Sequence, residues 1–186
     1  RNAGRLRPAR GSDALAGARR MIRVTILIPT WNEEQALPAT LASLAAMQPP
    51  PDEVLLVDGG SDDATLALAQ DAGVTAVLAP KKGRAAQINH GVERASGEVV
   101  CVLHADSLLP ADAVAVIRAT MADKRIALAS FTPRLAGPSG TRWGSTFHNW
   151  IKTWYAPLLT RPHLFLRGVR LLFGDHAMFF RREHYL

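Results

Sequence analysis

The chain has 186 residues, 48% of them hydrophobic and 20% charged, which is enough for one domain with a sizeable apolar core. A single cysteine, Cys101, excludes an intramolecular disulfide framework and predicts a reducing, cytosolic setting. The formal net charge of +6 comes largely from residues 1–20, which hold six arginines and one acid and are predicted to be a disordered basic arm.

The basic arm has three interpretations: a transit peptide, a nucleic-acid contact, or an extension upstream of the domain. We favour the extension because Met21 stands directly before a clean strand pattern, so the domain is taken as residues 21–186. Without the arm most of the charge excess disappears, and no nucleic-acid partner is predicted. The sequence also contains no apolar run long enough for a signal peptide or a transmembrane helix.

Short apolar runs alternate with helical patterns from residue 24 onward, which is typical of βαβ units on a mostly parallel sheet. Ser61 is predicted to cap the second helix, with Asp62 and Asp63 in its first turn. The other predicted helices cover residues 37–47, 84–95 and 111–121, and the predicted strands cover residues 24–28, 54–57, 74–78, 98–103 and 126–131. Beyond them we expect a loop at 132–140, a helical region at 141–173 and a short strand at 177–180.

Ligands of an open α/β sheet bind at the carboxyl ends of its strands, so the residues that follow each strand are candidates for a site. A basic loop around Gly83 opens onto a predicted helix N-terminus, an arrangement that suits a diphosphate. Neither of the glycine-rich phosphate-binding motifs follows the first strand, which argues against a dinucleotide fold or a P-loop ATPase. The segments that follow the first four predicted strands are, in order, Pro29 to Glu33, Asp58 to Asp62, Pro80 to Arg84, and His104 to Asp106.

His104 and Asp106 stand two residues apart where the fourth strand leaves the core, so both side chains are able to face the same side. A carboxylate suits Mg²⁺ or Mn²⁺, and an imidazole shifts the preference towards Mn²⁺. The alternatives are that Asp106 is a turn residue and that His104 only donates a hydrogen bond within the site.

Four segments together resemble family 2 glycosyltransferases, in the order and spacing of that family: "VTILIPTWNEEQALPATLASL", "DEVLLVDGGSDDAT", "KKGRAAQINHGVERASGEVVCVLHADSLLP" and "FGDHAMFFRREHY". The resemblance implies the GT-A fold, a UDP-linked sugar donor and a divalent cation, Mn²⁺ or Mg²⁺. Asp106 corresponds to the last acid of the family's D-x-D metal motif, whose first acid is replaced by His104. The substrate-binding residues that it implies are Pro29, Thr30, Asn32, Glu33, Asp58, Gly59, Lys82, Gly83, Arg84, Gln87, Ala105 and Asp106.

The resemblance also implies an inverting enzyme, in which a carboxylate takes the proton of the acceptor hydroxyl. The family's usual acidic motif for this base would follow the last quoted segment, so we expect the chain to lack the C-terminal part of the domain. Asp175 is then the candidate base. One alternative is a nucleotide-sugar-binding remnant without transferase activity. A weaker alternative is a nucleotidyltransferase, against which the loop after the first strand, "PTWNEE", is not a glycine-rich phosphate loop with a lysine.

The helical region at 141–173 is rich in aromatic and basic residues and has two interpretations. Either it packs over the acceptor side of the sheet, or it lies on a membrane surface at the inner face and admits a lipid-linked acceptor. The acceptor itself is predicted only as a lipid-linked molecule or a polysaccharide.

Overall fold

The computed structural model describes residues 21–137, 140–167 and 177–186. Strands and helices alternate through the first two thirds of the chain. In order they are β1 Val24–Thr30, α1 Leu37–Ala45, β2 Glu53–Asp58, α2 Thr65–Asp71, β3 Thr75–Leu78, α3 Arg84–Arg94, β4 Val99–Val102, α4 Ala113–Met121 and β5 Leu128–Ser130. The elements that follow are β6 Ala136–Gly137, β7 Gly140–Thr141, α5 Trp143–Thr160, α6 Pro162–Leu166, β8 Met178–Arg181 and a 3-10 helix, Arg182–His184.

Six strands form the main sheet in the order β3-β2-β1-β4-β8-β5. The first four strands pair in parallel, whereas β8 is antiparallel to both of its neighbours. The predicted α/β fold with a mostly parallel sheet is therefore confirmed. The sequence pattern alone did not show that β8 separates β4 from β5.

Strand β1 is the centre of the core because it is buried on both faces of the sheet. Val24, Ile26 and Ile28 pack on the side that carries α1 and α4, while Leu27 packs on the side that carries α3. Successive side chains of a strand point to opposite faces, so one apolar run supplies both cores. Each fully buried side chain of this kind contributes roughly 1.5–3 kcal/mol of transfer free energy.

Two local predictions are wrong. Ser61 does not cap α2, which begins at Thr65, because the Ser61 hydroxyl donates to Asp58 instead. The predicted loop at 132–140 contains the short antiparallel pair β6 and β7. The predicted helical region at 141–173 contains α5 and α6, which are separated at Arg161, whose φ of −144° and ψ of 64° are non-helical, as expected before a proline. Residues 168–173 lie outside the described part.

Candidate functional site

The strand order reverses at β1, because the chain adds β2 and β3 on one side of β1 and then adds β4 on the other side. The carboxyl ends of parallel strands at such a switch point form the usual ligand crevice of an open α/β sheet. A pocket of about 200 Å³ lies at the carboxyl end of β1. It is lined by Pro29, Thr30, Trp31, Glu33, Lys82, Gly83, Arg84 and Gln87.

The N-terminus of α3 forms one wall of this pocket. Gly83 precedes the helix with a φ of 129°, a conformation that side chains rarely adopt, and Arg84 is the first helical residue. Among the described residues no side chain caps this helix end. The first-turn N–H groups and the Arg84 guanidinium therefore form a suitable site for an anion.

Trp31 forms the mouth of the pocket together with Lys82. The Lys82 ammonium lies 3.2 Å from the centroid of the Trp31 ring, and the tryptophan is 47% exposed. An exposed ring stabilised by a cation presents a flat apolar surface beside a positive charge. The sequence analysis placed Trp31 within the candidate segment Pro29 to Glu33 but did not name it among the substrate-binding residues.

Asn32 connects the loop after β1 to the loop after β2. Its side chain donates to Asp62 Oδ1 over 2.7 Å and accepts from the Asp62 N–H over 3.0 Å, while its own N–H donates to Ser61 Oγ over 2.9 Å. Asn32 has a φ of 54°, which asparagine tolerates better than most residues. The Asn32 amide thus holds two loops together, and it does not line the pocket.

Asp58 is fully buried at the end of β2 and is the anchor of the Gly59–Gly60–Ser61 turn. One carboxylate oxygen accepts from the Thr30 hydroxyl over 3.2 Å and from the Ser61 hydroxyl over 2.5 Å. The other accepts from the N–H groups of Gly60 and Ser61, both over 2.8 Å. All four contacts are with protein donors, so the described geometry gives Asp58 a role in shaping the site.

Gln87 joins the ends of the first two strands beneath the pocket. Its Nε2 donates to the carbonyl oxygens of Thr30 over 2.6 Å and Val57 over 2.9 Å, and the residue is 4% exposed. A Cβ atom at Gly59 would lie 3.1 Å from this amide nitrogen. A side chain at Gly59 would therefore have to displace the Gln87 amide by a few tenths of an ångström.

The residues that follow β4 form a turn that is attached to α1. The hydroxyl of Thr40, buried in α1, donates to the Ala105 carbonyl over 2.6 Å, which the sequence analysis did not foresee. The Ser107 N–H donates to the His104 carbonyl over 3.1 Å, and the Ser107 hydroxyl donates to Asp106 Oδ1 over 3.2 Å. His104 is half-buried, Ala105 is buried and Asp106 is exposed at the rim.

The Glu33 carboxyl interacts electrostatically with charged groups of both this turn and the pocket. Burial raises the pKa of the Glu33 carboxyl, and the nearby Asp106 carboxylate raises it further, while His104 and Arg84 oppose the increase. The four side chains are thus close enough to influence one another. Within residues 21–137, 140–167 and 177–186, however, no three His, Cys, Asp or Glu side chains gather in a metal-binding group.

Asp175, the predicted base, lies outside the described residues, as does the predicted arm at 1–20. In the part that the structure describes, no helix is both long and apolar enough to cross a bilayer. The cytosolic setting remains a prediction.

Comparison with known proteins gives consistent results for sequence and structure. Residues 25–186 match the family model described as "Glycosyl transferase family 2". A "PGL/p-HBAD biosynthesis glycosyltransferase" of Mycobacterium bovis is 32% identical over 136 residues, covering 66% of this chain and 51% of that protein. The chain spans between 38% and about half of the length of the curated relatives it matches.

Two solved structures share the fold. The mannosyltransferase PcManGT from Pyrobaculum calidifontis, in complex with GDP-Man and Mn²⁺, has a TM-score of 0.64 at 23% identity, covering 89% of this chain and 46% of that one. Glucosyl-3-phosphoglycerate synthase from Mycobacterium tuberculosis, in complex with UDP, has a TM-score of 0.59 at 20% identity, covering 87% and 57%.

Proposed function

Because the chain belongs to glycosyltransferase family 2, we propose that it binds a UDP-linked sugar in the pocket at the end of β1 and transfers the sugar, with inversion, to an acceptor hydroxyl. The observation that carries the proposal is the convergence of an exposed aromatic ring, Lys82 and the N-terminus of α3 on that pocket. The solved neighbours support a nucleotide donor, since their complexes contain GDP-Man in one case and UDP in the other.

The size of the pocket favours the smaller base. Its volume of about 200 Å³ is below the roughly 300–1,000 Å³ of typical small-molecule sites, so only part of a nucleotide fits inside. We propose that a single-ring uracil lies against Trp31 and that the diphosphate extends along the N-terminus of α3. Lys82 then moves from the ring to the phosphates, where Arg84 supplies a second positive charge.

The side chains at the end of β4 fit a divalent cation of the kind that keeps several waters and takes phosphate oxygens. Such a cation needs only one or two carboxylates from the protein, and Asp106 is exposed at the rim with Glu33 nearby. His104 is a second candidate ligand. When bound, the cation would stabilise the negative charge of the departing diphosphate.

The proposed transfer is a single displacement. The acceptor oxygen bonds to the anomeric carbon on the face opposite the nucleotide, and the bond from that carbon to the diphosphate oxygen breaks with its electron pair on the leaving group. The acceptor proton passes to a carboxylate base, for which we propose Asp175. Loss of such a base lowers the rate by roughly 10²–10⁴-fold and leaves donor binding intact.

Calorimetric titration of UDP into the purified chain, first with Mn²⁺ and then with EDTA, tests the donor site. We expect binding that is tighter with Mn²⁺, and an Asp106→Ala variant that loses affinity with Mn²⁺ but not with EDTA. Asp71→Ala, an exposed acid at the end of α2, is the matched control. Equal losses in both conditions would remove the metal role of Asp106, and tighter binding of GDP would correct the donor.

A turnover assay with UDP-sugars, run beside the titration, separates the transferase from a nucleotide-sugar-binding remnant. Binding of UDP together with slow hydrolysis or transfer of UDP-sugars supports the transferase. Binding with no turnover, unchanged by Asp175→Asn, supports the remnant. A chain that binds neither UDP nor GDP would overturn the proposal.

A further inference from the structure

Helix α5 leaves its aromatic residues largely exposed. The buried residues of α5 are Thr153 and Pro157, whereas Trp143 is 69% exposed, Phe147 59% and Trp150 45%. A surface helix of a globular protein normally turns its apolar stripe towards the core. Most of the aromatic stripe of α5 stays exposed in the described part of the structure, although Thr153 and Pro157 beside it are buried.

Four rings form a row, here called the aromatic ladder, which consists of Phe147, Trp150, Trp154 and Phe165; the first three are exposed and Phe165 is half-buried. Neighbouring ring centroids are 6.0, 6.1 and 6.4 Å apart, and the last contact joins α5 to α6. These distances are within the range of favourable aromatic pairs. The ladder is thus an ordered surface that spans both helices, and the leucines at 158, 159 and 166 of the same two helices are also exposed.

The charges of the segment that carries the ladder all have one sign. Residues 124–167 contain no Asp or Glu, and residues 142–167 contain four cations: Arg142, Lys152, Arg161 and Arg167. All four are exposed. A face of this kind is complementary to a negatively charged surface, and large exposed apolar patches mark sites of contact with proteins or membranes.

We propose that α5 and α6 lie flat on an anionic lipid bilayer. Tryptophan and tyrosine are preferred at the level of the lipid headgroups, and cations beside them are attracted to lipid phosphates. An 18-residue helix is about 27 Å long, which gives the ladder a contact along several headgroups. On the proposed glycosyltransferase function, this contact brings the donor pocket to a surface that holds a lipid-borne acceptor.

Vesicle co-sedimentation of the full chain tests the proposal. We expect the chain to pellet with phosphatidylcholine vesicles that contain phosphatidylglycerol, and to remain in solution with phosphatidylcholine alone. Raising the ionic strength from about 0.1 M to 1 M shortens the Debye length from about 10 Å to 3 Å and should release the protein. Quenching of tryptophan fluorescence by brominated lipids should occur with the anionic vesicles.

Two variants separate charge from apolar contact. The triple change Arg142→Gln, Arg161→Gln and Arg167→Gln should weaken partitioning roughly a hundredfold, at about fivefold per cation. Trp150→Gln with Trp154→Gln should weaken it at least about tenfold. Leu78→Gln changes an equally apolar exposed residue, 65% exposed on the edge strand β3, and should have no effect.

Several results would overturn the membrane contact: no pelleting with anionic vesicles, equal pelleting with neutral ones, or variants that pellet like the parent chain. A concentration-dependent dimer that the tryptophan variant abolishes would assign the ladder to a second copy instead. UDP titration of the same preparations distinguishes the donor-site proposal from the membrane-contact proposal. A chain that binds UDP but not vesicles refutes only the membrane contact. Should the tryptophan variant fail to fold, the exposed arginine variant still decides the matter.

Discussion

Replacing Asp58 by Asn tests whether this buried carboxylate shapes the loop or contacts the ligand directly. The asparagine keeps the size of the side chain but places an NH₂ group against protein donors. Of the four hydrogen bonds that Asp58 accepts from Thr30, Gly60 and Ser61, two are then lost. Hydrogen bonds to a charged partner contribute roughly 1.5–3 kcal/mol each.

We expect the free energy of unfolding to fall by about 3 kcal/mol, the lower end of this sum, because the exposed part of the loop is able to relax. That is a large fraction of the roughly 5–15 kcal/mol of a typical domain. With a slope of about 1–3 kcal/mol per molar urea, the unfolding midpoint should shift by roughly 1–3 M. Urea titration followed by circular dichroism measures the shift.

Asp62→Asn is the matched control, because Asp62 is exposed and its carboxylate accepts one hydrogen bond, from the Asn32 amide. Its unfolding midpoint should change little. The reasoning is refuted if Asp58→Asn unfolds within about 0.5 kcal/mol of the parent chain. An unchanged stability combined with lost UDP binding would instead make Asp58 a direct ligand contact.

Three further predictions concern the core and the rim of the site. Gly97→Ala should lower the free energy of unfolding by about 1–3 kcal/mol, because the added Cβ would lie 2.7 Å from a backbone nitrogen of β1. Gly144→Ala is the control and should not destabilise the chain, because the space around Gly144 is open. Urea titration compares the two variants. Burial and Asp106 raise the pKa of Glu33, so the folded chain holds this proton more tightly and stability falls as the pH rises from 4.5 through the folded pKa. Asp106→Asn should lower that pKa in a carbon-13 NMR titration, and an unmoved pKa would place the two carboxyls apart. Burial raises the pKa of the Cys101 thiol to about 12, so the folded chain should react with a disulfide reagent only after denaturation; fast reaction of the native chain would contradict its burial.

The pocket shows how much of the site was predictable from the sequence. Glu33, Lys82 and Arg84 were predicted from their positions after β1 and β3, and all three line the pocket. Strand ends are readable in this way because apolar runs stop where the sheet stops. Trp31 lies within the candidate segment Pro29 to Glu33 but was not named individually, since an aromatic residue at a strand end does not by itself reveal whether it faces solvent or core.

The roles of the polar residues depended on contacts between segments distant in the chain. Asp58 accepts hydrogen bonds from Thr30, and Gln87 donates to carbonyls of two strands, so these side chains build the site from within. A hydrogen-bond partner some 28 or 57 residues away has no signal in the local sequence pattern. The same holds for Thr40 and the turn at Ala105.

The sequence by itself determined the alternation of strands and helices and the edge of the sheet where the polar residues collect, both of which follow from periodicity. It also determined the resemblance of the chain to a family, which follows from motifs whose spacing is local. Only the tertiary structure decided that β8 inserts between β4 and β5, that Asp58 is buried beneath its loop, and that the aromatic row of α5 stays largely exposed. The helical period shows which residues share a face, but which face is buried depends on how the whole chain packs.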